Sequence, residues 1–215
     1  RAGLDQPLYV VVEKILAPHE QLRVNWPVSG TTGYEFMNLL SGLFMDGNAE
    51  DQLTRIYEEF TGRNRDFESI VRAAKYRTMQ DTLASELNVL ANQLNRLAKR
   101  SRRTRDFSRL ALRTALSDIV ARFPVYRTYA DRDGVTEEGR RDIEWAVAKA
   151  KKAATTHDTS VYDFLQAVLT TDVLEQYPGQ FKRREVVNLA MKVQQFTAPV
   201  MAKSVEDTAF YRDAR

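Results

Sequence analysis

The sequence predicts a mainly α-helical protein: a helical bundle with one long central helix and one or two short strands. Two observations carry this. Across residues 66–100, apolar side chains recur at steps of three and four with no glycine or proline between them, the spacing of one helix face. Runs of strand formers occur in only two short places, residues 9–12 and 125–129, where β-branched and aromatic residues fit a pleated surface.

The elements follow in order. Residues 9–15 read as a short strand flanked by Pro7 and Pro18. Side chains alternate along a strand, so Tyr9, Val11 and Glu13 share one face and Val10, Val12 and Lys14 the other. Both faces are apolar until the run stops at Glu13 and Lys14, the pattern of a strand covered on both sides, as in a parallel sheet. Residues 20–33 read as a loop with Pro27, Gly30 and Gly33. Phe36, Leu39, Leu40 and Leu43 then have helical spacing, Gly47 and Asn48 punctuate it, and residues 49–61 give a helix with Leu53, Ile56, Tyr57 and Phe60 on one face.

The long segment begins at the N-cap candidate Asp66 and carries Ile70, Ala73, Tyr76, Met79, Leu83, Leu87, Leu90, Leu94 and Leu97. As one helix it would run roughly 50 Å. Its stripe suits either the seam of an intramolecular bundle or a coiled coil. Asp106 is a cap candidate for a helix with Leu110, Leu112, Leu116, Ile119 and Val120, which Pro124 ends. Residues 125–129 make the second candidate strand, and the DRDG stretch after it a turn. Thr136 opens the next helix, with Gly139 where a capping box usually has Glu. Helices over 159–171 and 180–196 follow, and then a tail of mixed character.

Composition narrows the function. In 215 residues, 43% are hydrophobic and 28% charged, the balance of a globular protein. No apolar run has the length of a membrane span, residues 1–15 lack signal-peptide features, and no membrane partner is expected. The absence of cysteine removes thiolate metal sites and fits a cytoplasmic protein. His19 and His157 are too few for a histidine-rich metal site. The net charge of +3 concentrates in KRSRRTR, residues 99–105. Such a run is either a nucleic-acid footprint on a freestanding interaction module or the closing turn of a helix, where cations favour the negative dipole end. No aromatic residues interleave with it for base stacking, and no nucleic-acid partner is expected.

Four blocks stand out in order: VEKIL, WPVSGTTGYEF, FPVYRTY and QQFTAPVMAKSVEDTAFYR. Together they resemble the maltooligosyltrehalose synthases, a branch of the α-amylase family of glycoside hydrolases (glycoside hydrolase family 13). The resemblance covers essentially this whole chain and only the middle of the longer family proteins. It implies a segment running from the fifth strand of a (β/α)8 barrel through a large helical insertion. Residues 1–32 would be barrel strand and active-site loop, 33–196 the helical body, and 197–215 the return towards the barrel.

The resemblance also implies chemistry. The family isomerises the reducing-end α-1,4 bond of a maltooligosaccharide to an α,α-1,1 bond with retention, in trehalose biosynthesis. Glu13 would be the general acid/base, while the nucleophilic aspartate and a further essential aspartate belong to strands outside these residues. The chain alone would then be inactive. Lys203 stands where the family has a lysine near substrate. Arg127, Glu206 and Tyr211 are further substrate-binding candidates, with Asp207 weaker; an arginine in a strand needs a partner if buried. Trp26 and Tyr34 offer either sugar-stacking faces or core packing. Asp158, in THDT, reads as a helix cap rather than a catalytic group. Neither a cofactor nor a metal is implied. Self-association of the chain through residues 9–15 or the tail is expected from surfaces the barrel would cover.

Overall fold

The computed structural model describes residues 8–62, 66–155 and 158–213. Pro7, beside the first strand, and Thr156 and His157 of THDT lie outside them. The described residues divide into two compact units, 8–62 and 66–213.

The first unit holds β1 (Val11–Val12) and β2 (Gly30–Thr31), paired in parallel with Val11 opposite Gly30. The expected strand is therefore present, shorter than its apolar run. Its partner lies in the stretch expected to be a loop, where no run of strand formers announces it. Helices α1 (Tyr34–Gly42) and α2 (Glu50–Thr61) follow. Gly33 stands before α1 at φ 104°, a conformation open to a residue without Cβ.

The second unit is the helical bundle: α3 (Phe67–Gln80), α4 (Ala84–Ala98), α5 (Arg109–Ala121), α6 (Glu137–Ala153), α7 (Ser160–Leu169), α8 (Val173–Gln176) and α9 (Arg183–Met201). Helix α9 continues through a π-helical stretch, Ala202–Ala209, into α10 (Phe210–Arg212). The mixed tail is thus the end of one long helix, which passes residue 196 without a break despite Pro199. Its missing N–H removes one i→i−4 bond.

The segment 66–100 is not the long helix. It breaks at Asp81–Leu83 into α3 and α4, where the Leu83 amide reaches back to the Thr78 carbonyl at 2.9 Å. The reason is in the spacing. At 3.6 residues per turn, Ile70 and Met79 fall on opposite sides of a straight helix. The break lets each half turn its own face inward. In α4 that face is the expected one, Leu87, Leu90, Leu94 and Leu97. In α3 it is Ala74, Lys75, Thr78 and Met79, while Ala73 is exposed. The α4 stripe packs against α5 and α9, as a bundle seam does. Leu112, Leu116, Ile119, Ile143, Val147, Leu165 and Val168 complete the core, each contributing about 1.5–3 kcal/mol on burial.

Caps explain the boundaries. The Asp66 carboxylate accepts from the Ser69 amide at 2.8 Å, as expected. Ser108, not Asp106, caps α5, accepting from Ala111 at 3.0 Å. The turn through residues 102–106 delays the helix by one short side chain. Thr136 caps α6 through the Gly139 amide. Gly139 stands there for space: a Cβ would meet the Thr128 carbonyl and the Val135 side chain at 3.1 Å.

Residues 125–129 are not a strand. Only a bridge at Asp131 and Gly134 follows them. Their backbone bonds to side chains of α9 instead: Thr197 donates to the Tyr126 carbonyl at 2.7 Å and Gln194 to the Ala130 carbonyl at 3.1 Å. Those contacts satisfy carbonyls that a ladder would otherwise use.

Candidate functional site

In the first unit, Glu13 directly follows β1, at the carboxyl end of the parallel pair. Polar side chains at that end of parallel strands carry the chemistry of barrel enzymes. Glu13 is exposed, and the Tyr34 hydroxyl donates to its Oε1 at 3.0 Å. Tyr34 reaches it from the first residue of α1, which the β2–Gly33 turn places beside the end of β1. The alternation expected along the strand also holds: Glu13 points outward while Lys14 is only 8% exposed. Lys14 donates to Glu20 at 2.7 Å, and the other Glu20 oxygen accepts from the Ala17 amide at 3.0 Å. This buried pair ties down the turn that follows Glu13. Close by in sequence, Thr31 donates to Glu35 at 2.6 Å, and that bond is the main cause holding the Glu35 carboxyl below its ordinary range. Trp26 is half-buried.

The second unit gathers part of the remaining expected set. The Tyr126 hydroxyl donates to the Glu206 carboxylate, so the 125–129 segment and the tail meet. Next to it, the Arg127 guanidinium lies 4.9 Å from the centroid of the Tyr129 ring, and its buried Nε has no hydrogen-bond partner. Tyr129 takes a left-handed φ of 55°, a conformation that costs about 1–3 kcal/mol outside glycine. Within this chain the Tyr129 ring is the face that the Arg127 guanidinium lies against. Lys203 and Asp207 are exposed on the π-helical stretch, and Tyr211 is 83% exposed. The Lys203 carbonyl accepts from Thr208 at 2.8 Å. Asp158 accepts from the Ser160 amide at 2.9 Å, which serves the first turn of α7 as a cap would.

The basic run 99–105 follows α4 as its closing turns. Arg100 pairs with Glu185 of α9 at 2.6 Å, and Arg103 lies over the Tyr177 ring at 6.0 Å.

Sequence reasoning missed two polar groups of the bundle. Lys75, 3% exposed, donates to the Phe123 carbonyl at 2.8 Å, and burial pushes its amine down to about 8. Asp118 accepts from Tyr76 at 2.5 Å and Tyr162 at 2.6 Å. Arg122 donates to the Tyr76 hydroxyl at 2.9 Å. Burial first, and Asp118 second, raise both phenols above their ordinary value. No motif marks either group; each depends on which helix faces meet. Among the described residues no helix is long and apolar enough to cross a membrane.

The class these features define is a helical bundle domain joined to a parallel strand pair with a carboxylate at its carboxyl end. No family model matches the chain. By sequence it is 28% identical, over 209 residues, to a "Putative maltooligosyl trehalose synthase" of Mycobacterium tuberculosis, strains CDC 1551 / Oshkosh and H37Rv; the match takes 96% of this chain and 23% of each relative. By structure it is similar to maltooligosyltrehalose synthase from Arthrobacter ramosus, with a TM-score of 0.72 and 29% identity over 95% of this chain and 23% of that one. A glycosyltrehalose synthase, DSM5389, shares the fold at 24% identity and a TM-score of 0.58. The relatives thus carry the name of the family read from the sequence blocks, and the chain spans about a quarter of their length.

Proposed function

We propose that this chain is a segment of a maltooligosyltrehalose synthase, a (1→4)-α-D-glucan 1-α-D-glucosylmutase of the α-amylase family, and that Glu13 is its general acid/base. One observation carries the reading: 95% of the chain matches such an enzyme, and Glu13 stands at the carboxyl end of the chain's own parallel strand pair. In the retaining reaction an aspartate elsewhere in the longer protein attacks the anomeric carbon as Glu13 protonates the departing glucose. The freed glucose then turns, and its anomeric hydroxyl attacks the glucosyl-enzyme while Glu13 takes back the proton. The product is the α,α-1,1 bond. Tyr34 holds the carboxylate in place through both steps, and the Lys14–Glu20 pair fixes the turn behind it. Arg127, Glu206, Lys203 and Tyr211 are the substrate-binding residues of the reading.

Helix α1 supports the same reading. It has no buried residue; Phe36 and Leu39 on it, and Leu43 and Phe44 just after it, stand exposed, Phe44 by 84%. An apolar surface of this size left open marks an interaction face, and we take the rest of the longer protein as its cover. The test is the activity of the longer protein on maltopentaose. Glu13→Gln lowers kcat by about 10²–10⁴-fold, the usual worth of a general acid/base. Tyr34→Phe costs about 10- to 100-fold, as the loss of one hydrogen bond to a charged group implies. The segment alone forms no trehalose-ended product. A Glu13→Gln protein at full activity, or an active segment, would refute the assignment.

A further inference from the structure

A cavity of about 240 Å³ opens in the second unit where the turns after α4 meet α7 and α8. Its wall is partly aromatic. The Phe107 and Phe164 rings lie 5.8 Å apart, and Tyr177 meets Phe181 edge-on at 5.8 Å. Its polar lining includes Arg103, Gln166 and Gln176 along with the carboxylates Asp163 and Asp172.

Charge decides what it takes. Both carboxylates on the lining are already matched: Asp163 pairs with Lys151, and Asp172 holds Arg140 through two bonds of 2.5 and 2.8 Å. A cation therefore finds no uncommitted carboxylate. An anion fares little better, since Asp158 already occupies the Ser160 amide at the start of α7, and Arg103 is spread over the Tyr177 ring. What remains is a set of side-chain amides beside aromatic rings. Amides both donate and accept, as hydroxyl groups require. The volume lies below the roughly 300 Å³ of drug-sized pockets, a size for one or two sugar rings.

We propose that this cavity binds glucose units of an α-glucan, holding a maltooligosaccharide by a second hand in addition to the chemistry at Glu13. The choice of α-glucan among sugars rests on the function proposed above. The experiment titrates the isotope-labelled 215-residue chain with maltopentaose, and with cellopentaose in parallel, following the side-chain amides of Gln166 and Gln176 by NMR. Saturable shifts of both amides with maltopentaose, and none with cellopentaose, are expected. Gln176→Ala, at an exposed position, and Gln166→Ala, at a half-buried one, each weaken the affinity about fivefold, the loss of one hydrogen bond. Tyr177→Phe keeps the ring against Phe181 and retains binding within a few-fold. No shifts at these amides, equal response to cellopentaose, or unchanged affinity in both alanine variants would overturn the proposal. The catalytic reading is judged separately, by the activity of Glu13→Gln in the longer protein, so either can fail alone.

Discussion

The Tyr126 phenol donates to the Glu206 carboxylate, joining residues 80 positions apart in the chain. With Thr197 and Gln194 it fastens residues 126–130 to the long C-terminal helix. That segment carries Arg127, so the clamp sets where this cation stands. Tyr126→Phe is expected to cost about 1–2 kcal/mol, at the lower end for a bond to a charged group because the pair is only part-buried. Glu206→Gln keeps an acceptor and should cost less. Urea unfolding curves of the chain, read as midpoints at constant slope, check the order; equal stability of Tyr126→Phe and the parent would remove the clamp.

Lys75 sets a pH dependence. Its amine sits at about 8 in the folded chain against an ordinary 10.5. Between those values the unfolded chain binds the extra proton, so stability rises with pH. The gain is about 3 kcal/mol across the full window at 1.36 kcal/mol per unit. Tyr76 and Tyr162 act with the opposite sign. Their folded values lie above the ordinary 10.0, so their contribution is complete below pH 10 and is lost above it. Stability should climb from pH 8, crest near pH 10 and fall beyond. Lys75→Met removes the climb and leaves the fall, which unfolding midpoints at a series of pH values will reveal.

Asp118 joins α3, α5 and α7 through two phenols. Asp118→Asn replaces one acceptor oxygen by a donor that faces a phenol already donating. The expected loss is about 1.5–3 kcal/mol, larger than for Tyr76→Phe or Tyr162→Phe, since those leave no donor facing a donor. Calorimetric unfolding of the three variants gives the ranking; a milder effect for Asp118→Asn than for both phenylalanines would contradict it.

The exposed apolar residues Leu43 and Phe44 after α1, and Phe60 of α2, are expected to make the isolated chain self-associate. Patches of this kind drive assembly when uncovered. Light scattering after size exclusion should give a mass that grows with concentration. Leu43→Ser with Phe44→Ser shifts it towards the monomer; a monomeric parent chain at high concentration would count against the surface.

Much of the fold was legible in the residues. The 87–90–94–97 stripe of α4, the caps at Asp66 and Thr136, and the strand just before Glu13 all rest on spacing within a few residues. Helix propensity, caps and alternation act locally, and local rules can be read from a line of letters. Glu13 is singled out by the blocks that surround it, and alternation puts it on the strand face opposite Lys14.

Other features depend on what meets what. Nothing in VSGTT declares a strand; Gly30 and Thr31 become one because the chain returns beside Val11 and Val12. Residues 125–129 have every strand former and no partner strand, so α9 takes their carbonyls. The stripe through 66–100 holds too many steps of three for one straight helix, and only packing shows where it breaks. Lys75 is buried and Asp118 gathers two phenols because helices distant in sequence close over them. Spacing along the chain determined the helices, the strand-end carboxylate and its neighbours. Long-range contact decided which faces are interior, which polar groups are shared, and where the apolar surface of α1 is left uncovered.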